Sequence, residues 1–317
     1  PLPFVVPNYK WWEGLYYGLG MKVYDLLAGS QNFARSRRLN RQETLGCLPT
    51  LNPDGLRGGV QYYDGQFDDA RLAVNMAQTA VEQGGTVLNY VKVTDLKKTN
   101  GEVDGVVAQC QETGTEFEVD ARSVINATGI FTDTIRQMDA PDTPPTLRPS
   151  RGTHIVLDKS FLPGENALMI PKTDDGRVLF AIPWNDRVVM GTTEASVEEV
   201  SLEPCPSPEE LRFLIEHAQR YLVGEPGPDD VLSVFAGIRP LVAPADSNSD
   251  TAEISREHQL STSESGLVTI SGGKWTTYRK MAEDTIDEAI QEAELDHHPS
   301  TSRTLRLHGW HENPEQF

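Results

Sequence analysis

The stretch Ser271-Gly272-Gly273-Lys274-Trp275-Thr276-Thr277-Tyr278-Arg279 constrains this chain most, because it joins two different periodicities through a pair of glycines. Before it, Leu267-Val268-Thr269-Ile270 is a short apolar run that reads as a strand ending at Ser271. After it, Tyr278, Met281, Ala282, Ile286, Ala289, Ile290 and Ala293 recur every three or four residues, the spacing of an amphipathic helix. With no Cβ at Gly272 or Gly273, a ligand can approach the backbone closely. The first amides of the helix lack intrahelical partners and lie at the positive end of its dipole, where Lys274 adds a full charge. An anion, or a heterocycle that gains negative charge in its reaction, is stabilised at such a point. Taken alone, the stretch fits a glycine turn with a surface lysine equally well.

A chain of 317 residues can bury the cores of two domains. Its formal net charge of −19 predicts repulsion from nucleic acid and no global attraction to anionic lipid, so an anionic substrate needs locally arranged cations. Cys47, Cys110 and Cys205 are odd in number and widely separated, which fits neither a disulfide framework nor zinc-ligand spacing, and no metal site is expected. A reducing compartment is the default. No apolar run approaches the roughly 20 residues a membrane span needs. The chain opens Pro1-Leu2-Pro3, without Met, and reads as cut from something longer.

Residues 1 to 30 place Trp11, Trp12, Leu15, Tyr16, Tyr17, Met21, Val23, Tyr24, Leu26 and Leu27 broadly at helical spacing. The stretch fits an aromatic surface on a membrane interface or a helix packed on its own domain. The second is preferred, since only Lys10 and Lys22 are at hand to meet headgroups. A helix within Asp64 to Gly85 has a small-residue face (Ala70, Ala73, Val74, Ala77, Ala80, Val81) suited to lying on a sheet. A strand over Thr86 to Val93 is expected next, then a hairpin of Gly101 to Gln109 and Glu116 to Val119. Ser123 to Ala127 reads as a buried strand, and the prolines between Asp139 and Pro149 as a crossing between domains. Short strands at Thr153 to Leu157, Val178 to Ile182, Val188 to Met190 and Val231 to Ala236 predict an antiparallel sheet. A helix interrupts it, with Ser207 as cap, Pro208 at its first position, Glu210 closing a capping box, and Leu211, Leu214, Ile215, Ala218 and Leu222 facing inward. The polar end from Ser300 is broken by Pro314.

Six stretches, Asp68-Asp69-Ala70-Arg71, Val124-Ile125-Asn126-Ala127-Thr128-Gly129, Gly152-Thr153-His154-Ile155-Val156, Gly191-Thr192-Thr193, Gly237-Ile238-Arg239-Pro240-Leu241 and Ser271 to Arg279, resemble FAD-dependent glycerol-3-phosphate dehydrogenase in order and spacing. Tyr9-Lys10-Trp11-Trp12 and Val60 to Gln66 point to its mitochondrial-type branch, and the resemblance runs from residue 1 to about residue 310. It implies an α/β (α+β), two-domain flavoprotein of the D-amino-acid-oxidase-like type, with an incomplete Rossmann-like FAD domain and an antiparallel-sheet substrate domain. The expected division is a helical and loop lead-in over 1–63, FAD-binding domain over 64–147, substrate domain over 148–262, return strand and helix of the FAD domain over 263–295, and the start of a linker to a C-terminal domain over 296–317. The Gly-x-Gly-x-x-Gly turn such enzymes use for the pyrophosphate is not found; Gly18-Leu19-Gly20 follows an aromatic helical stretch, so the resemblance places the fingerprint upstream of Pro1.

The resemblance further implies oxidation of sn-glycerol 3-phosphate to dihydroxyacetone phosphate by hydride transfer to FAD. Membrane quinone is the expected electron acceptor, with peripheral association on the bacterial cytoplasmic (inner) membrane or, alternatively, the mitochondrial inner membrane. Such a reaction needs a base for the hydroxyl proton and a fixed substrate. His154, mid-strand, has an unperturbed pKa of about 6.5 and is the expected base; the other histidines, His217 among them, are placed on helix surface, loop or tail. Arg239 is expected on the substrate's oxygens through its planar fork, although a salt bridge in a domain seam also fits it. Lys274 could serve phosphate, flavin or both. Cofactor contacts are expected at Val93, Ala127, Thr128, Gly129, Gly272, Gly273, Lys274 and Thr276, while Thr192 and Thr193 are read as buttressing a strand end. Two related activities stay open, a glycerol-3-phosphate oxidase using oxygen and an FAD-dependent amine or amino-acid oxidoreductase. A non-catalytic fragment is the remaining alternative.

Overall fold

In a computed structural model that describes residues 1–29, 32–242 and 257–313, alternating and helical patterns sort the chain into two compact units. The first combines Pro1–Gln66 with Ser150–Ile238, and the second Phe67–Pro149 with Arg239–Phe317. Pro314 lies outside the described residues.

The chain begins with β1 (Leu2–Asn8), α1 (Glu13–Ala28), β2 (Arg37–Asn40), α2 (Arg41–Cys47) and β3 (Gly58–Asp64). It continues through α3 (Asp69–Glu82), the hairpin strands β4 (Val91–Thr99), β5 (Glu102–Cys110) and β6 (Glu116–Asp120), then β7 (Val124–Asn126) and α4 (Thr132–Asp139). Next come β8 (Leu147–Asp158), β9 (Ala167–Ile170), β10 (Leu179–Trp184), β11 (Arg187–Gly191), β12 (Ala195–Ser196) and α5 (Pro208–Tyr221). The last elements are β13 (Ser233–Val242), β14 (His258–Thr262), β15 (Leu267–Gly272) and α6 (Tyr278–Glu292).

The first unit is built on a sheet of order β12-β8-β11-β10-β9-β1-β3-β2, with β13 also pairing β8. Most pairs are antiparallel, but β1 and β9 run parallel. Strict alternation on β10 buries Leu179, Ala181 and Pro183 and leaves the residues between them half-buried, so one sheet face is core. That core joins Ile155, Leu157, Leu168 and Ile170 to Leu214, Ala218 and Leu222 of α5. The expected helical and loop lead-in over 1–63 gives way here. Its segments 2–8, 37–40 and 58–64 are strands of this sheet, because β1 is apolar on both faces and can only be an inner strand.

Helix α1 forms and packs on its own unit along one stripe. Tyr17 and Met21 pack on a cluster of Leu2, Phe4, Val6 and Tyr62, and Gly18 is buried under Arg38, whose Nε would stand 2.6 Å from a Cβ there. The sheet beneath takes only that stripe. Trp11, Leu15, Leu19 and Leu26 therefore point away from the core.

Helix α5 has the expected cap, with Ser207 and Glu210 exchanging side-chain bonds and Pro208 in the first turn. His217 is not on its surface. The residues 210, 214, 217 and 218 lie on one stripe, so the imidazole is buried, its Nδ1 2.8 Å from the Phe213 carbonyl.

The second unit holds two three-stranded sheets, β14-β15-β7 and β4-β5-β6. Its core gathers Leu96, Val103, Ile135 and Leu267, with Val93, Val106 and Val124 packed against them. The hairpin forms as read, and all five residues of its outer strand β6 are exposed. The strand expected from Thr86 starts only at Val91; Val87, Leu88 and Tyr90 are exposed, and no described strand pairs with residues 86–90. The small-residue face of α3 is likewise open, Val74 and Val81 being more than half exposed. On α6 the inward stripe is Thr285 and Ala289, whereas Ala282 and Ile286 face outward.

Candidate active site

His154 owes its position to the register of β8 against β11, which sets it directly opposite Gly191. A Cβ at Gly191 would come within 2.1 Å of the imidazole Cδ2, so only glycine leaves room for the ring. The side chain of Phe235 on β13 stacks on the ring, with centroids 4.9 Å apart and planes inclined by 9°. Together these contacts restrict the half-buried ring to one orientation.

Beneath His154, the carboxylate of Glu210 gathers its neighbours. Its Oε1 accepts the hydroxyls of Thr193 at 2.6 Å and Thr153 at 2.9 Å, while Oε2 accepts Arg151 Nε at 2.8 Å and the Ser207 amide at 2.9 Å. The Thr193 hydroxyl also accepts from the Thr153 amide at 2.9 Å. Burial pushes the Glu210 carboxyl up, but the hydrogen bonds from Thr193, Ser207, Arg151 and Thr153 outweigh it and hold the pKa at about 2. The capping-box glutamate thus also fastens the strand end that carries His154. Thr193 serves as a buttress.

In the second unit β7 and β15 run parallel, with Leu267 opposite Val124 and Thr269 opposite Asn126. Their carboxyl ends therefore leave the sheet on one side, which is where ligands bind in open α/β sheets. Asn126 is buried and gives its amide to the Thr132 carbonyl at 3.0 Å, while its carbonyl receives the Thr128 hydroxyl at 2.7 Å. These bonds shape the turn, leaving Ala127 and Thr128 exposed and Gly129 at φ +58 with open space where a Cβ would lie. Gly272 and Gly273 follow β15 at φ +70 and +76. A Cβ on Gly273 would meet Met281 Sδ at 2.5 Å, and one on Gly272 would meet Val242 Cγ2 at 3.1 Å.

Lys274 does not sit at the start of α6. A 3-10 turn over Trp275–Thr277 intervenes, and the Thr277 hydroxyl closes it onto the Lys274 carbonyl at 2.9 Å. The lysine is exposed, and among the described residues no carboxylate lies within ion-pair range of it. Thr276, within the turn, is exposed. Val93 is half-buried on β4 and packs in the cluster that includes Val124 and Leu267. Arg239 is the first residue of the second unit's returning segment, three positions before the Val242 that packs beside Gly272. The second unit thus holds Arg239, Lys274 and the expected cofactor positions, while the first holds His154.

A hollow of about 720 Å³ in the second unit contains none of these residues. Its cations are already committed, Lys98 to Asp139 at 2.7 Å and Arg136 to Asp133 at 2.8 Å. The sequence reading missed Glu210 as a site residue and Phe235 altogether. The Ser-x-x-Glu spacing was visible, but nothing local marks Thr193 or Phe235 as neighbours of His154.

A family model described as FAD dependent oxidoreductase matches residues 9–279. The mitochondrial glycerol-3-phosphate dehydrogenase of Homo sapiens is 44% identical over 98% of this chain and 43% of its own length. That of Saccharomyces cerevisiae is 38% identical over 98% of this chain and 54% of its own length. The solved glycerol-3-phosphate dehydrogenase of Bacillus halodurans, complexed with FAD, is 31% identical with a TM-score of 0.79 over 96% of this chain and 54% of its own. The chain thus spans about half the length of these proteins. Its fold of mixed and antiparallel sheets with helices is similar to that of this solved structure. The chain belongs to the FAD dependent oxidoreductase family.

Proposed function

We propose that the full-length protein oxidises sn-glycerol 3-phosphate to dihydroxyacetone phosphate on FAD and passes the electrons to membrane quinone. What carries the reading is Lys274, exposed beside two positive-φ glycines at the carboxyl edge of β15 without a carboxylate in ion-pair range among the described residues. The relatives' names supply the substrate. The residues present fit a flavin. Exposed Ala127 and Thr128, with open space at Gly129 and the Gly272-Gly273 turn, leave room for a broad ring system and expose backbone amides to it.

FAD, when bound, supplies the two-electron acceptor. His154 takes the hydroxyl proton on an imidazole nitrogen, its ring held in one orientation by Gly191 and Phe235. Arg239 fixes substrate oxygens through its planar fork, and Lys274 offers charge to the phosphate. Transfer of electrons to quinone implies peripheral association with a membrane. No helix among the described residues is long and apolar enough to cross one. The relatives' names support the mitochondrial alternative.

The test is anaerobic spectroscopy of the full-length enzyme, in which glycerol 3-phosphate is expected to bleach the flavin and sarcosine is not. Bleaching by sarcosine or a D-amino acid alone would sink the substrate class. A second expectation concerns Lys274→Ala, which should weaken glycerol 3-phosphate far more than glycerol, because only the former carries phosphate charge. Equal losses with both substrates would confine the lysine to the flavin.

A further inference from the structure

Core packing does not explain Phe235. Among the described residues it belongs to none of the hydrophobic clusters, and it is 47% exposed. The sheet nonetheless fixes its place. Strand β13 pairs with β8, and the Leu232 amide donates to the Val156 carbonyl at 2.9 Å. Leu232 lies three residues before Phe235 and Val156 two residues after His154, so the pairing brings the two rings together. They stack with centroids 4.9 Å apart and planes inclined by 9°, while Gly191 meets the imidazole from β11.

A phenyl ring carries negative charge density on its face and positive on its edge. Against a neutral imidazole the contact is ordinary stacking. Against an imidazolium it becomes a cation–π contact, because the centroid separation lies inside the roughly 6 Å reach of that attraction. The same contact is therefore stronger after the ring has gained a proton than before.

We infer that Phe235 is a positioning residue for the base, its π face stabilising the imidazolium that forms when His154 accepts the hydroxyl proton. The substrate O–H bond breaks, an N–H bond forms on the ring, and the new positive charge faces the phenyl. The inference rests on the role of His154 as base in the proposed function. Gly191 and Phe235, which flank the ring, do not titrate. The charged groups on the strands around it are Arg148, Arg151 and Asp158 of β8, Arg187 of β11 and Arg239 of β13. Arg151 pairs with Glu210 of α5 at 2.6 Å, and Arg187 lies 3.9 Å from Asp158. Guanidinium and carboxylate groups ordinarily titrate outside roughly pH 5–9. A phosphate monoester ionises near pH 6, so the ionisation to read is the one that His154→Gln removes.

The experiment is anaerobic rapid mixing of the full-length holoenzyme with glycerol 3-phosphate, following flavin reduction from about pH 5 to 9. Phe235→Leu keeps apolar volume without the π face. Its limiting rate is expected to fall about threefold to thirtyfold, with a smaller change in the half-saturating substrate concentration. The ionisation should move down by about 0.5–1.5 in pH, so the variant reaches its lower plateau in more acid solution. Phe235→Tyr keeps the face, and both rate and ionisation should return close to wild type. A merely structural role would lower flavin content and melting but leave the ionisation in place. Phe235→Met also fills the space and repeats the comparison where leucine disturbs folding. An ionisation within about 0.2 in pH of wild type in the leucine variant, at a rate within a factor of about two, would overturn the inference and leave the base standing. A profile unchanged by His154→Gln would instead remove the base, and the inference with it.

Discussion

Replacing Glu210 with alanine is expected to destabilise the first unit by about 3–5 kcal/mol, because it strands a half-buried arginine and two buried hydroxyls together. In a unit of this size that is a fall of roughly 6–20 °C in melting temperature. Glu210→Gln should recover only part of the loss, since its amide nitrogen turns donors toward Arg151, Thr153 and Thr193, which are themselves donors. Acid should mimic the substitution. The folded pKa of about 2 lies below the ordinary 4.5, so the stabilisation is complete above the unfolded value and is lost as pH falls toward 2. Wild type should therefore lose melting temperature over that window more steeply than Glu210→Gln. Parallel profiles, or an alanine variant that melts within about 2 °C of wild type, would reduce the network to ornament.

Arg239→Lys is expected to lower kcat/KM for glycerol 3-phosphate roughly tenfold to more than a hundredfold, the worth of one charge-assisted hydrogen bond. The charge is kept and the fork is lost, which at a bidentate site is not conservative. FAD content and melting should barely move. A structural salt bridge predicts the reverse, lost stability with turnover falling only in step. Measuring flavin occupancy, melting and turnover on the same preparation of full-length enzyme distinguishes them. Turnover preserved within a factor of about three, under 1 kcal/mol, would make Arg239 scaffold.

Periodicity revealed the elements whose packing is decided by near neighbours. The capping box at Ser207 and Glu210, the hairpin β5-β6 and the strand-glycine-helix passage at 267–292 were all readable, because each is set by residues within a few positions of one another. What escaped depends on partners far along the chain. Gly191 explains His154 only once β8 and β11 are in register, and Thr193 reaches Glu210 across 17 positions. Residues 2–8 look like a loop until β3 and β9 flank them. His217 was misplaced because a lone polar residue on an apolar stripe reads as surface, whereas the Phe213 carbonyl lets it be buried.

The outer strand β6 also determines what the molecule avoids. Its residues alternate Glu116, Phe117, Glu118, Val119 and Asp120, and all are exposed along a row of unpaired backbone groups. An open edge of this kind is a template on which a second chain can add a strand. Three carboxylates spaced every second residue put like charges opposite one another in any such pairing, and Lys97, which bridges Glu118 and Asp120 from within the same sheet, leaves Glu116 unanswered. The edge is thus guarded by repulsion rather than by cover. Exchanging Glu116 and Glu118 for threonine would favour strand formation and remove the guard together, converting a soluble border into a seed for fibrous assembly.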